Sequence, residues 1–368
     1  NFDIGHLVGD ISLHLWDFKH DLETYLKENH TKYQTFDELI ESGLCTPDII
    51  SNLKDANAID INSPEYAKRA ELRQGLIKDV KALFDKYNIE LAALACHGNA
   101  VHPDKAVAAQ FDKDFRNAVL LAEKVGVDTV ITFSGCPGGS PEDKTPNWVT
   151  CPWPDDFLGV LDYQWNEVLI PYWKEAGAFA ESHGVRVAFE MHPGFCVYNP
   201  ETMMKLRNAV GPVLGANLDP SHLVWQGIDI VAAIRYLGDA IYHFHAKDTK
   251  IDELNTAKIG VLDTKHYSDE LNRAWVFRSV GYGHDMQWWR DVVSNLRLVG
   301  YDRVMSIEHE DSLMTNDEGL AKAVAVLEET VTGYMRVSEE DRAVAKNEGK
   351  VQYAMVPVWI LTTRYENK

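Results

Sequence analysis

The chain has 368 residues, 45% of them hydrophobic, and a formal net charge of -20 at pH 7. That length suits two average domains or one barrel with insertions, and the acidic balance works against nucleic acid and anionic membranes as partners, since non-specific affinity for both comes from Lys and Arg. No apolar run reaches the roughly 18 residues of a membrane span, and Cys45, Cys96, Cys136, Cys151 and Cys196 are scattered without a C-x-x-C pair, which excludes a zinc knuckle or disulfide framework and suits a reducing cytoplasm.

In chain order, F-D-I-G-H-L-V at 2–8 reads as a first strand and N-A-I-D-I at 57–61 as a weak second, with a polar, helix-rich insertion around 17–55 between them. Ser63, Pro64 and Glu65 then give an N-cap, a first-turn proline and a first-turn acid, opening a helix to about Tyr87. I-E-L-A-A-L-A-C-H-G (89–98) is the third strand, a helix follows near 112–125, and V-D-T-V-I-T-F-S-G (127–135) is the fourth. The stretch 136–154 holds five prolines and two tryptophans, too many breakers for regular structure, and reads as a long loop over the strand ends. A helix at 162–183 leads to three apolar runs, V-R-V-A-F-E-M-H, L-G-A-N-L-D-P-S-H and I-Y-H-F-H-A-K-D, spaced by helices near 200–210 and 229–237. A second long excursion, 249–284, precedes a helix from Met286 to about Leu298, the run V-M-S-I-E-H-E-D at 304–311, and a closing helix at 317–333.

Eight strands alternating with helices predict a (β/α)8 TIM barrel over 1–335, with its chemistry at the carboxyl ends of the strands and long loops on that face. Residues 336–368 form a C-terminal extension whose V-Q-Y-A-M-V-P-V-W-I-L-T-T run is strand-like and apolar, which predicts a subunit or partner interface.

Glu190, Asp219, His245 and Glu308 occupy equivalent places at the ends of four strands. Two Glu, one Asp and one His there make an oxygen-rich site for a divalent cation. Taken singly each has a plainer use, and Asp219 before Pro220 is a natural turn residue. Together they favour a metal, because three carboxylates buried without a cation would raise one another's pKa values sharply. His222 is either a partner of the ligands or a donor to substrate. His97 and His192 end the third and fifth strands as candidate catalytic groups or satisfied core histidines. Lys247 shares the strand face of His245, or else pairs with Asp248 at the surface. Arg278 and His284 lie in the second excursion as substrate contacts, with a loop ion pair equally open to Arg278. Trp148, Trp153 and Trp275 could wall a ligand face or simply pack loops.

The strings C-H-G-N (96–99), V-I-T-F-S-G-C-P-G (130–138), E-M-H-P-G (190–194), D-P-S-H (219–222), H-A-K-D-T (245–249), V-G-Y-G-H-D (280–285) and S-I-E-H-E-D-S-L-M (306–314) resemble the sugar phosphate isomerase/epimerase group of xylose isomerase-like TIM barrels over about 64–335. The resemblance implies one divalent ion, Mn2+ before Mg2+, Co2+ or Zn2+, on Glu190, Asp219, His245 and Glu308. It also implies enolisation of a keto-sugar beside a metal-bound carbonyl, giving isomerisation or epimerisation. The alternative is β-elimination, as in inosose-type dehydratases or the large catalytic subunits of C-glycoside deglycosidases, which work with a small partner subunit. Glu190 and Glu308 are the expected proton-transfer pair, with His222, Lys247, Arg278, His284 and Trp148 on the substrate. The tight, aromatic-rich loops predict a neutral cyclic keto-sugar or glycoside in preference to a sugar phosphate, and the apolar tail predicts a homo-oligomer. Endonuclease IV shares this barrel but needs three zinc ions and a basic DNA face, whereas this chain is strongly acidic and lacks the full His/Asp set, which disfavours that alternative. A non-catalytic scaffold on the same barrel would lack proton exchange.

Overall fold

A computed structural model of the protein describes residues 14–28, 30–45 and 90–332, together with positions 50, 53, 54, 56–58, 60, 62–72 and 84. The expected first strand at 2–8 and the extension 336–368 lie outside these residues. The chain forms two compact units, Asn1–Asn88 and Ile89–Lys368.

In the first unit, α1 (His14–Glu28) and α2 (Phe36–Glu41) are helical. Thr35 starts α2 with a capping box, its hydroxyl accepting from Glu38 N–H while the Glu38 carboxylate accepts from Thr35 N–H. Phe36, Leu53 and Ala56 are buried together. That burial explains a correction to the expected second strand. Leu53 and Ala56 are three apart, a helical spacing, and of the 57–61 run Asn57 is helical, Ala58 is in a turn and Asp60 is irregular. A helix follows over 64–72, with Tyr66 N–H donating to the Ser63 hydroxyl at 3.2 Å as its cap.

The second unit carries the barrel strands. β1 (Leu94–Ala95), β2 (Thr129–Thr132), β3 (Arg186–Glu190), β4 (Leu214–Leu218), β5 (Ile241–Ala246) and β8 (Met305–Ile307) form a parallel sheet in the order β1-β2-β3-β4-β5-β8. These are the runs read as the third to eighth strands of the barrel. Parallel neighbours need crossovers, and helices supply them: α3 (Lys105–Val125), α4 (Asp156–Asp162) running through a π-helical segment (Tyr163–Leu169) into α5 (Ile170–Ser182), α6 (Pro200–Val210), α7 (Pro220–Val224) and α8 (Ile230–Leu237). α3 starts earlier than the apolar pattern suggests because the Asp104 carboxylate accepts from Ala106 and Val107 N–H, and it stops at Gly126, whose φ of 78° suits the left-handed end of a helix. Trp173 of α5, Leu206 of α6 and Ile234 of α8 are buried with Phe189 and Leu218 of the sheet in one continuous core. On the other face, Ile131, Ala188 and Tyr242 bury together. Gly215 leaves the space that the Tyr242 ring occupies.

The 136–154 stretch has no regular structure yet is firmly tied. Nε2 of Gln164 donates to the carbonyls of Pro137, Gly138 and Asn147. The 249–284 excursion is a built arm rather than a loop. β6 (Asp248–Ile251) pairs antiparallel with β7 (Trp275–Arg278), α9 (Glu253–Ile259) lies between them, and Trp225, Ala274 and Trp275 make its own small core. The Trp225 and Trp275 rings stack with centroids 4.7 Å apart at 7°. α10 (Met286–Leu298) and α11 (Asn316–Thr332) complete the described chain. Among the described residues no helix is long and apolar enough to cross a membrane.

Candidate metal centre

Each candidate ligand stands where a buried strand meets its loop. Glu190 ends β3, Asp219 follows β4, His245 lies near the end of β5, and Glu308 follows β8. Glu190, Asp219 and His245 are buried and Glu308 is partly so, and ligand atoms from all four lie within 4.8 Å of one another. Asp219 divides its carboxylate between two tasks. Oδ1 accepts from Ser221 N–H at 2.8 Å and caps α7, while Oδ2 is buried with no hydrogen-bond partner. Oε2 of Glu308 is likewise buried without a hydrogen bond. An uncompensated buried carboxylate oxygen is costly, and two of them converging with a histidine is the donor set of a hard or borderline divalent cation. The residues fit such an ion.

Two of the three flanking histidines touch this cluster. Nε2 of His97 is 3.1 Å from Oε2 of Glu190, and Nε2 of His222 is 3.0 Å from Oε1 of Glu190 and 3.4 Å from Oδ2 of Asp219. His222 thus touches two ligands rather than standing apart. His192 contacts no ligand; its Nδ1 bonds to the Pro193 carbonyl at 2.6 Å and its ring lies 4.1 Å from that of His222. Lys247 is only 1% exposed, which overturns the surface alternative. Its ammonium donates to Oε1 of Glu308 at 3.1 Å, pairs with Glu310, and lies 4.2 Å from the Phe277 ring centre.

The charges follow from this packing. Burial pushes the Glu190 carboxyl up, but hydrogen bonds from His222, His245 and His97 outweigh it and hold the group well below the carboxylate range. Burial acts the same way on Glu308, and Lys247 reverses it, so Glu308 is also held low. Asp219 is pushed up to about 8 by burial, with the charges of Glu308 and Glu190 adding to it against Lys247. Burial works to lower His245, yet its contacts with Glu190 and Glu308 raise it to about 10. His222 is pushed down to about 3 by burial and by its cationic neighbours, so it stays neutral.

The other expected contacts fall in two groups. Arg278 lies 3.3 Å from Oδ2 of Asp311, the loop ion pair, and His284 is bound through Nδ1 to Oδ1 of Asp248 at 2.7 Å. Trp148 packs edge-on to Tyr198, Trp275 is buried in the arm, and Trp153 is 75% exposed. Aromatic rings do line the centre, from positions the sequence did not single out. Phe133 and Phe195 stack 4.3 Å apart at 18°, with His97 at 4.4 Å and His192 at 5.2 Å from Phe133, and Phe277 of β7 packs against His222. Asn217, Asp248 and Glu310 were also missed. Asn217 lies inside an apolar run, and Asp248 looked like a surface partner for Lys247. A second acid two residues after Glu308 was the available signal for Glu310.

A parallel α/β barrel with a buried carboxylate–histidine centre at its strand ends defines a xylose isomerase-like TIM barrel. The chain belongs to that family, whose model matches residues 53–330. It is 41% identical over 276 residues to the uncharacterized protein YfiH of Bacillus subtilis (strain 168), covering 74% of this chain and 86% of that one. Among solved structures, the IolI protein with a binding zinc atom superposes with a TM-score of 0.50 at 21% identity, over 74% of this chain and 85% of its own. A D-tagatose 3-epimerase-like protein does so at 0.48 and 20%, over 70% and 82%. The likeness to IolI is one of fold.

Proposed function

We propose that the protein is a divalent-metal-dependent carbohydrate enzyme that enolises a keto-sugar at the carbon beside its carbonyl. The observation that carries this reading is the convergence of two buried carboxylate oxygens that take no hydrogen bond, Oδ2 of Asp219 and Oε2 of Glu308, with Glu190 and His245. A divalent ion held there supplies Lewis acidity toward a carbonyl and its neighbouring hydroxyl. The zinc named for IolI, a protein of the same fold, agrees with such use of the barrel.

The chain's own groups divide the remaining work. Glu190 and Glu308 stay ionised at neutral pH and stand at the ends of β3 and β8, with β4 and β5 between those strands, and in this reading one takes a proton and the other returns it from the opposite side. Such a two-sided proton transfer gives epimerisation or isomerisation. The Lys247 ammonium, fixed by Glu308 and Glu310, offers positive charge to an oxygen that gains electron density. His97, His192 and the Phe133–Phe195 stack form an apolar wall beside Glu190 that excludes water and receives the C–H face of a ring. That stack favours a second reading, in which the same proton removal expels a β-substituent from a cyclic keto-glycoside.

The test is solvent exchange. The Mn2+-loaded protein is incubated in D2O with a panel of neutral keto-sugars and 3-keto-glycosides and followed by NMR. Deuterium should enter next to the carbonyl and stop entering when the metal is chelated. No incorporation into any substrate would overturn the enolisation reading.

A further inference from the structure

Two residues before three of the candidate ligands lie Asn217, His243 and Ser306, with exposures of 0%, 3% and 1%. Side chains two apart on a strand share a face, so these form a polar layer directly beneath Asp219, His245 and Glu308. Barrel interiors are ordinarily filled there by branched apolar residues. His243 and Ser306 satisfy each other, Nε2 to Oγ at 2.7 Å. Asn217 does not belong to that pair. Its Nδ2 donates to Oε2 of Glu190 at 3.3 Å and lies 3.1 Å and 3.3 Å from the two ring nitrogens of His245, while its Oδ1 is buried with no hydrogen-bond partner. One amide therefore spans two ligands from different strands, and it does so at the expense of its own oxygen.

We propose that Asn217 is a positioning residue that fixes the Glu190 carboxylate and the His245 imidazole relative to one another, and thereby sets the affinity of the centre for a divalent ion. The affinity half of this rests on the metal reading above. A donor on Oε2 restricts rotation of the Glu190 carboxylate, and contact with the ring edge fixes the orientation of His245 and which nitrogen faces Glu190 and Glu308. Groups that orient ligands in this way typically contribute roughly 10–100-fold in metal affinity. An apolar residue of the same bulk would fill the space and leave both ligands free to turn.

The experiment uses the full chain stripped of metal, as wild type and Asn217→Leu, with Mn2+ as the probe in competition with a fluorescent chelator. The leucine variant should bind Mn2+ at least roughly 10-fold more weakly with no loss of thermal stability, because it also removes the orphan oxygen. In the metal-free state, 15N NMR of the histidine rings should show the His245 signals displaced. Affinity within about twofold of wild type together with unmoved His245 signals would overturn the proposal. Asn217→Ser serves if the leucine variant does not fold. A wild type that takes up no Mn2+ sinks the metal reading alone; the NMR comparison still decides whether Asn217 orients His245.

Discussion

Nδ1 of His245 lies 2.9 Å from Oε2 of Glu308, yet that oxygen receives no hydrogen bond. Against the burial of both groups, this contact helps to hold the pKa of His245 up and that of Glu308 down, and both are candidate ligands of one cation. It makes Glu308 the most informative single position in the centre.

Glu308→Gln keeps the shape of that side chain and removes its charge. Turnover should fall by roughly 10²–10⁴-fold, the usual worth of a positioned proton-transfer group, while circular dichroism stays that of the wild type. Metal content measured by mass spectrometry should drop in parallel, and wild-type turnover would refute the role. His245→Ala should likewise release the ion, and full stoichiometry in that variant would count against the centre.

Metal uptake should release protons and strengthen as pH rises. Without a cation Asp219 titrates near 8 and His245 near 10, so at pH 7 both hold protons that a cation must displace. Affinity therefore increases through the range from about 7 to 10, where these two groups ionise. Calorimetry in buffers of different ionisation enthalpy measures the protons released. Uptake that is independent of pH across that range would contradict the assignment of these two groups.

Asp248 should prove a stability position rather than a substrate contact. Its Oδ2 accepts from the N–H groups of Gly281, Gly283 and His284 and from Nε1 of Trp289, and its Oδ1 from Nδ1 of His284. Asp248→Ala strands those buried donors and should cost at least about 3 kcal/mol in urea unfolding. A loss under about 1 kcal/mol would show that water replaces the carboxylate.

Phe133→Ala should act on binding before chemistry. The ring stacks on Phe195 and touches His97 and His192 without reaching a ligand. KM for a cyclic substrate should rise by about 10-fold with kcat nearly unchanged, the signature of lost uniform binding. An unchanged KM would remove the apolar wall from the site.

The four candidate ligands were legible because each closes a short apolar run, and a strand that ends in a charged residue announces both its length and its open end. The barrel order followed from the same runs. Asn217 was hidden for the opposite reason, since a polar residue inside L-G-A-N-L resembles any tolerated exception until the neighbouring strands bring Glu190 and His245 to it. Arg278 needed the hairpin register, in which it stands across from Asp248, and the placement of Asp311 beside it; neither is a property of local spacing. The run N-A-I-D-I is too short to fix a strand period by itself, while Leu53 and Ala56 just before it bury with helical spacing.

The Trp225–Trp275 stack, with ring planes 7° apart and centroids at 4.7 Å, places two near-parallel indoles in the small core of the arm, apart from the core of the barrel. Chromophores that close couple their strong transitions, so the pair should give a split far-ultraviolet circular dichroism band of its own. The arm thus carries a built-in optical reporter. Its docking could be timed during refolding, or watched as substrate arrives, without attaching any label.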